Sequence, residues 1–345
     1  MTIYFFNSII MPQSICARSF VALSVVALTL SACAVQRSPT ADIGAKVPFK
    51  INVDTWIGYA PLYLAKEKGF NDDVDVEIIT TPDVAQRKLI LERGDNQAIA
   101  ETVDQLVLDH SQGIHTVAVS GMDFSNGADG MVAVDSIKTI QDLKGKTVLV
   151  QKNYVSEALL NYMLEKNGMA FSDVRTVDTE AGAAGAAFAA GKTDAAVTFE
   201  PWLSKAKERT GSHILFSSKD APGVVVDILS VQQQYLKDHP DVVAKVVRGW
   251  FRAVDYWKQH PEEANAIMAK YYLVTPQEFA DQVAGLIWPS YSENVDYFSK
   301  GSASNIYDVA DMFVNIFAKT GQTRGKPDLT SAVDTSVLTS IHGQL

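Results

Sequence analysis

The sequence predicts an α/β protein, and two observations support this. From Phe49 onward, short runs rich in β-branched residues alternate with stretches of helical periodicity, and glycine or proline marks many of the boundaries. Apolar residues make up 47% and charged residues 20% of the 345 residues, which is typical of a globular protein with its own core. The alternation of strands and helices favours sheets in which most strands run parallel.

The first set of elements fills residues 49–134. Proline opens and glycine closes a predicted helix between Pro61 and Gly69, which is the usual asymmetry of helix ends. The predicted strands of this set are 49–56, 74–80, 97–101, 115–120 and 130–134. Its predicted helices are 62–68, 85–93 and 103–110.

A second set of elements begins after Gly145. Its predicted strands are 147–151, 174–179, 194–199, 214–216 and 224–231. Its predicted helices are 157–166, 181–191 and 202–209. The middle helix of these is rich in glycine and alanine, and we interpret it as a closely packed helix rather than a linker.

The last third of the chain is mostly helical. Helices are predicted at 240–258, 262–271, 276–287 and 306–320. In the first of these, apolar residues recur at spacings of three and four, which predicts one face packed on the core. Those residues are Val243, Val246, Val247, Trp250, Phe251, Val254 and Trp257.

Residues 1–33 have the layout of a bacterial export signal. Arg18 precedes an apolar run at 20–30, and small residues follow it. The run is shorter than the roughly 20 apolar residues that span a bilayer. The sequence therefore predicts a protein that works outside the cytoplasm.

The end of this segment, Leu-Ser-Ala-Cys, resembles the lipobox of bacterial lipoproteins. The resemblance implies a signal peptide at 1–32, a lipidated Cys33 and a flexible tether at 33–47. Ordinary signal cleavage that discards Cys33 is the alternative.

Charge and cysteine content narrow the function further. The formal net charge is −10, whereas nucleic-acid binding needs clustered lysine and arginine, so we expect no nucleic-acid partner. The two cysteines, Cys16 and Cys33, lie in or directly after the predicted signal, so no internal disulfide is expected. An oxidising compartment allows disulfides but does not require them.

The sequence lacks the common catalytic motifs. Its six histidines are scattered and form no His-Glu-x-x-His pair for zinc. It contains no phosphate-binding loop, no Gly-x-Gly-x-x-Gly and no Gly-x-Ser-x-Gly. We therefore expect no catalytic residues, no metal and no cofactor.

Five stretches, taken in order, resemble a known family. They are 56–70 (WIGYAPLYLAKEKGF), 127–130 (GADG), 142–146 (DLKGK), 199–203 (FEPWL) and the helix around 239–262. Together they are similar to the periplasmic solute-binding proteins of ABC importers, in the nitrate/sulfonate/taurine and thiamine-pyrimidine branch (SsuA/THI5-like, NMT1-like). The resemblance extends from Phe49 to the C-terminus.

This resemblance implies a two-lobe periplasmic-binding-protein (type II) fold, with a ligand cleft between the lobes and two crossover strands. Lobe 1 would comprise 48–140 and 229–345, and lobe 2 would comprise 141–228. The resemblance also implies a monomeric non-enzyme at the periplasm or cell surface, anchored to the membrane by lipid only. Its partners would be a small solute and an ABC permease and ATPase complex. A receptor that senses the solute for a membrane signalling partner is the alternative.

Ligands of open α/β sheets bind beyond the carboxyl ends of the strands, near helix N-termini. This rule selects eight candidate ligand-binding residues: Trp56, Tyr59, Glu101, Asp104, Tyr154, Ser156, Glu200 and Trp202. Asp227, on a late strand near the predicted return to lobe 1, is the ninth. Packing is the alternative role for Trp56 and Trp202. Helix capping is the alternative for Glu200.

Carboxylates dominate the predicted cleft, to which Asp129 also belongs, and Lys152 is the only cation expected close by. A buried anion beside unpaired carboxylates is unfavourable, so an amine, a guanidine-like compound or an aminopyrimidine is the favoured solute. Taurine, an aliphatic sulfonate or nitrate is the alternative. Ser156 and the amides of the helix that follows it would then bind the anion.

Overall fold

The computed structural model describes residues 46–323 and 325–345. The predicted signal peptide, Cys33 and nearly all of the predicted tether lie outside the described residues. Within those described ranges, no helix is both long enough and apolar enough to cross a membrane.

The described chain alternates strands with helices. The strands are β1 (Val47–Val53), β2 (Val74–Thr80), β3 (Ala98–Thr102), β4 (Thr116–Ser125), β5 (Asp129–Val134), β6 (Thr147–Val150), β7 (Arg175–Asp178), β8 (Ala195–Phe199), β9 (Ser212–Ser217), β10 (Val226–Gln232) and β11 (Leu286–Ile287). The helices are α1 (Ala60–Glu67), α2 (Val84–Glu92), α3 (Val103–Ser111), α4 (Val155–Lys166), α5 (Ala181–Ala189), α6 (Trp202–Lys207), α7 (Gln233–Asp238), α8 (Pro240–Gln259), α9 (Pro261–Tyr272), α10 (Pro276–Val283), α11 (Tyr291–Tyr297), α12 (Ile306–Thr320) and α13 (Ser336–Ser340).

The strands form two sheets. The first has the order β11-β4-β10-β3-β1-β2 and the second has the order β7-β6-β8-β5-β9. β1 and β6 run parallel to their neighbours, whereas β10 and β5 run antiparallel to theirs. Both sheets are mixed, but four strands of the first, β1 to β4, and four of the second, β6 to β9, run in one direction, so the expectation of mostly parallel strands is confirmed. The strand that enters each sheet from the other one, β10 or β5, runs in the opposite direction, as does the short edge strand β11.

Two crossovers join the sheets. The chain leaves the first sheet after Ser125 and returns to it at Val226. We call residues 46–125 and 226–345, without 324, the first lobe, and residues 126–225 the second lobe. The expected boundaries at 140 and 228 differ from these, because each crossover strand pairs with the sheet that it enters.

The predicted helix 276–287 divides into α10 and the short strand β11. Gly285 lies between them, against the first crossover. Its carbonyl accepts a hydrogen bond from the Asn126 N–H at 2.8 Å, and a Cβ at this position would lie 2.9 Å from the backbone nitrogen of Ala128. This close backbone contact ends the helix and adds β11 to the edge of the first sheet.

The predicted apolar face of α8 packs in the core of the first lobe. Its buried members are Val243, Val246, Val247, Trp250, Phe251 and Val254. The helix contacts α1 and α9, and the half-buried Trp257 lies at its end with its ring centroid 4.5 Å from that of Trp288. The helical periodicity of this segment therefore predicts its packing correctly.

Phe251 provides a test of this packing. The side chain is 2% exposed, and replacing a buried phenylalanine by alanine leaves a cavity that costs about 3–5 kcal/mol. We expect Phe251→Ala to lower the free energy of unfolding by that amount in urea denaturation. Asp255→Ala, at an exposed position on the same helix, is the control and should change it by less than about 0.5 kcal/mol. Equal stability of the two variants would contradict the assignment.

Candidate ligand site

The two lobes meet at the carboxyl end of β1, where Asp54 is buried. Its carboxylate accepts a hydrogen bond from the backbone N–H of Trp56 at 2.7 Å and lies 3.3 Å from Nη1 of Arg87. The hydroxyl of Tyr154, in the second lobe, donates to the same carboxylate. Asp54 thus links a cation of the first lobe to the start of α4 in the second.

Trp56 has contacts in both lobes. Its indole Nε1 lies 3.2 Å from each carboxylate oxygen of Asp123, and its backbone carbonyl accepts a hydrogen bond from Tyr272 at 3.0 Å. Its ring meets that of Phe199, in the second lobe, edge to face at 5.5 Å. Trp56 therefore packs in the first lobe and also contacts the second lobe, and its role as a ligand-binding residue stays a prediction.

Gly58 lies against the Asp123 carboxylate. A Cβ here would lie 2.2 Å from an oxygen of Asp123 and 2.3 Å from Nε1 of Trp56, so the turn needs glycine. The hydroxyl of the next residue, Tyr59, donates to Asp227. Asp227 stands opposite Asp123 on adjacent antiparallel strands, which puts the two carboxylates side by side on one face of the sheet.

The start of the second lobe adds polar groups to the same region. Asp129 opens β5, and one of its buried carboxylate oxygens has no hydrogen-bond partner within the described chain. The buried hydroxyl of Ser156, in the first turn of α4, also has none there. Gln105, beside Asp104 at the start of α3, donates to the carbonyl of Asn153 at 2.8 Å across the two lobes.

Three of the nine candidates have other surroundings. Glu101 and Thr102 alternate along β3, and it is Thr102 that pairs with Asp227, so Glu101 faces the opposite side of the sheet, 3.4 Å from the hydroxyl of Thr116. That placement separates it from the cluster around Tyr59.

Glu200 and Trp202 have local contacts that match their alternative roles. The Glu200 carboxylate accepts hydrogen bonds from Ser204, at 3.2 Å from its backbone N–H and 2.8 Å from its hydroxyl. Trp202 packs on α5, where a Cβ at Gly182 would lie 2.8 Å from its Nε1. Both remain predictions as ligand-binding residues.

The sequence does not reveal two members of the cluster, Arg87 and Asp123. Arg87 is buried on a helix whose pattern gives no sign of it, and Asp123 lies in a strand that extends beyond its predicted end. Lys152, the cation that the sequence places near the cleft, is exposed, whereas Arg87 contacts the buried carboxylate of Asp54.

Burial controls the electrostatics of this cluster. Within the described residues, the carboxylates of Asp54, Asp123, Asp129 and Asp227 share the region with one guanidinium, that of Arg87. Burial raises the pKa of Asp129 to about 7, with a further contribution from neighbouring carboxylates. Burial also raises the pKa of Asp123 and of Asp227 well above the ordinary value, and the Asp123 charge adds to the rise at Asp227. The region is strongly short of positive charge.

A cavity of about 590 Å³ opens between the lobes near this cluster. The first lobe lines it with residues that include Asp83 and Lys88, and the second lobe with residues that include Lys152 and Asn153. Lys88 follows Arg87 in α2, and Asn153 precedes Tyr154, so residues next to the buried cluster in sequence line the cavity. The carboxylates of Asp54, Asp123, Asp129 and Asp227 do not line it.

Two lobes joined by two crossovers, with a polar cluster between them, define the fold of the periplasmic binding proteins. A model of the NMT1/THI5-like family matches residues 56–264, which is more than half of the chain. The chain therefore belongs to the NMT1/THI5-like family, as its five motifs predict.

Individual relatives agree with this assignment. A putative binding protein of Brucella abortus (strain 2308) is 25% identical over 311 residues, which cover 86% of this chain and 92% of the relative. The alkanesulfonate-binding protein SsuA from Xanthomonas axonopodis pv. citri, solved with MOPS bound, has a TM-score of 0.69 at 17% identity, over 85% of this chain and 100% of that chain. The desulfurization enzyme DSZB has a TM-score of 0.62 at 14% identity, over 87% of this chain and 99% of that chain. The fold is thus shared by binding proteins and by an enzyme.

The raised pKa of Asp129 predicts how stability depends on pH. Between the ordinary aspartate pKa and about 7, the native state holds a proton that the unfolded chain has lost, so stability falls as pH rises through this range. We expect the melting temperature of the ligand-free protein to fall by several degrees between about pH 5 and pH 8.

Asp129→Asn should reduce this pH dependence, because the amide is neutral throughout. Asp296→Asn, at an exposed position, is the matched control and should leave the profile unchanged. Identical profiles for the wild type and Asp129→Asn would show that Asp129 does not carry the effect.

Proposed function

We propose that this protein is the solute-binding component of an ABC importer, which captures a small cationic solute between its lobes and delivers it to a membrane permease. Membership of the NMT1/THI5-like family and the two-lobed fold support the receptor role. The buried carboxylates around Arg87 support the charge of the solute. An amine, a guanidine-like compound or an aminopyrimidine fits this site.

Three buried carboxylates, those of Asp123, Asp129 and Asp227, are the reason to expect a positively charged solute. Each is 2% exposed or less, and only neutral groups donate hydrogen bonds to the carboxylates of Asp123 and Asp227 in the described structure. A buried carboxylate without a cation is unfavourable by several kcal/mol. A positively charged solute removes this cost, whereas an anion increases it. Trp56 and Tyr154 add aromatic surface suited to a cation or a planar ring.

A sulfonate or taurine is the second candidate, and a specific observation favours it. The buried Ser156 hydroxyl has no partner among the described residues and lies in the first turn of the 12-residue helix α4, where the helix dipole attracts anions. The SsuA protein with the same fold is named for binding alkanesulfonates. Asp129 and Asp227 nearby make this the weaker candidate.

The predicted lipobox and the family of the chain also bear on where the protein acts and what it does with its solute. We propose that Cys33 carries the lipid anchor, so that the protein acts as a monomer at the outer face of the membrane that holds its permease. Delivery to a permease is favoured over signalling because the chain belongs to a family with binding-protein relatives. No cysteine follows Cys33 in the sequence, so the folded lobes contain no thiol nucleophile.

The first experiment is a thermal-shift screen of the purified protein. The panel sets amines, guanidines and aminopyrimidines against taurine, alkanesulfonates and nitrate. A ligand at 100 times its dissociation constant adds about 2.7 kcal/mol of stability, which is readily measured. Stabilisation by the cationic set is expected, and stabilisation by sulfonates alone would contradict the proposed solute charge.

A pair of variants then separates the two candidates by isothermal titration calorimetry. Asp227→Asn should weaken a cationic solute by about tenfold to a hundredfold, because a hydrogen bond to a charged group contributes about 1.5–3 kcal/mol. Ser156→Ala is the matched control and should leave that affinity nearly unchanged. The reverse pattern, with Ser156→Ala the harmful variant, would support a sulfonate instead.

A further inference from the structure

Three carboxylates of the candidate site lie without a cation beside them in the described residues. Asp123 and Asp227 accept hydrogen bonds from neutral side chains only. One oxygen of Asp129 and one of Asp227 are buried and accept none at all. Asp54 differs, because Arg87 lies 3.3 Å from it.

Asp104 is also buried with an unpartnered oxygen, but it lies in the first turn of α3, where the helix dipole stabilises a negative charge, and Gln105 donates to it at 3.2 Å. In this cluster, among the described residues, the carboxylates with neither a cation nor a helix N-terminus beside them are those of Asp123, Asp129 and Asp227.

The charges of these groups can be counted. Arg87 balances Asp54. Asp123 and Asp227 stand opposite each other on paired strands, and two neighbouring buried carboxyls hold at least one proton between them, so the pair carries at most one negative charge. Burial raises the pKa of Asp129 to about 7, so a cation beside it ionises it and adds a second charge. The site can thus present two negative charges to a solute that brings two positive ones.

We infer that the cleft takes a solute with two positively charged nitrogen groups, one held by the Asp123–Asp227 pair of the first lobe and the other by Asp129 of the second. This inference rests on the proposed function and narrows its ligand class. The buried, unpartnered oxygens of Asp227 and Asp129 are the acceptors that the two groups fill.

A solute with one positive charge would leave one of these carboxyls without a cation, so that it stays protonated or is ionised at a cost. A second nitrogen group would stabilise its ionised form and bind more tightly for that reason. The aromatic rings of Trp56, Tyr154 and Phe199 lie around the same region and cover apolar atoms between the two groups. The chemistry is that of a short diamine or an amino-guanidine.

The test compares 1,4-diaminobutane with 1-aminopentane by isothermal titration calorimetry on the full protein at neutral pH. The two probes have the same number of heavy atoms, and a methyl group replaces one ammonium group in the second. We expect the diamine to bind at least about tenfold more tightly, which corresponds to about 1.4 kcal/mol. A neutral diol of the same length should not bind.

Asp129→Asn tests where the second charge binds. This variant should lose most of the preference for the diamine while it still binds a monoamine, because its site presents one negative charge. The variant lacks a buried carboxylate that its neighbours repel, so its melting temperature at neutral pH should rise. A loss of diamine preference would therefore not be due to unfolding. Asp296→Asn should keep the wild-type preference.

The possible failures are distinguishable. Equal affinities of the wild type for diamine and monoamine would overturn the inference and leave the cationic solute in place. If the diamine does not bind at millimolar concentration but aminopyrimidines or guanidines stabilise the protein, the inference is again overturned and the cationic solute stays in place. Binding of sulfonates alone would overturn both the inference and the proposed function.

Discussion

Burial of several carboxylates beside one guanidinium is the constraint on which the centre of this molecule depends. Removing an ion from water costs several kcal/mol, and Arg87 offsets that cost for Asp54 alone. The other contacts of the region serve the remaining oxygens: the Trp56 indole reaches Asp123, and the Tyr59 hydroxyl reaches Asp227. Hydrogen bonds reach Asp123 and Asp227, but among the described residues no cation lies beside either of them or beside Asp129.

The fold alone does not determine which solute binds at this cluster. The same two-lobed architecture occurs in an alkanesulfonate-binding protein and in a desulfurization enzyme, each less than 20% identical to this chain. Such folds host different chemistries because the residues at the strand ends vary while the sheets persist. In this chain several residues of the cluster are acidic, and their burial is the reason for the cationic solute that we propose.

The sequence predicts the fold well where periodicity is strong, as in α8, and where motifs appear in order. It predicts the sheets less well, because the partner of β5 depends on contacts distant in sequence. In the site, strand ends identify Tyr59 and Ser156, and the predicted return to the first lobe identifies Asp227. The structure brings all three to the meeting of the lobes. Glu101 lies on the opposite face of its sheet from Asp227, because successive residues of a strand point to opposite faces. The sequence does not identify Arg87, because the pattern of a helix does not show which charged residue is buried.

The positions of Asp123 and Asp227 have a mechanical consequence. β4 leaves the first lobe two residues after Asp123, and β10 enters that lobe one residue before Asp227, so both side chains lie beside the pivots of the two lobes. A body that turns about a pivot moves little there and much at its rim. If the lobes turn about these crossovers, a solute bound here as we propose would set the angle between the lobes, and solutes that differ by one methylene would hold the outer surfaces at different separations. A permease that contacts both lobes would then distinguish solutes through that separation without touching them.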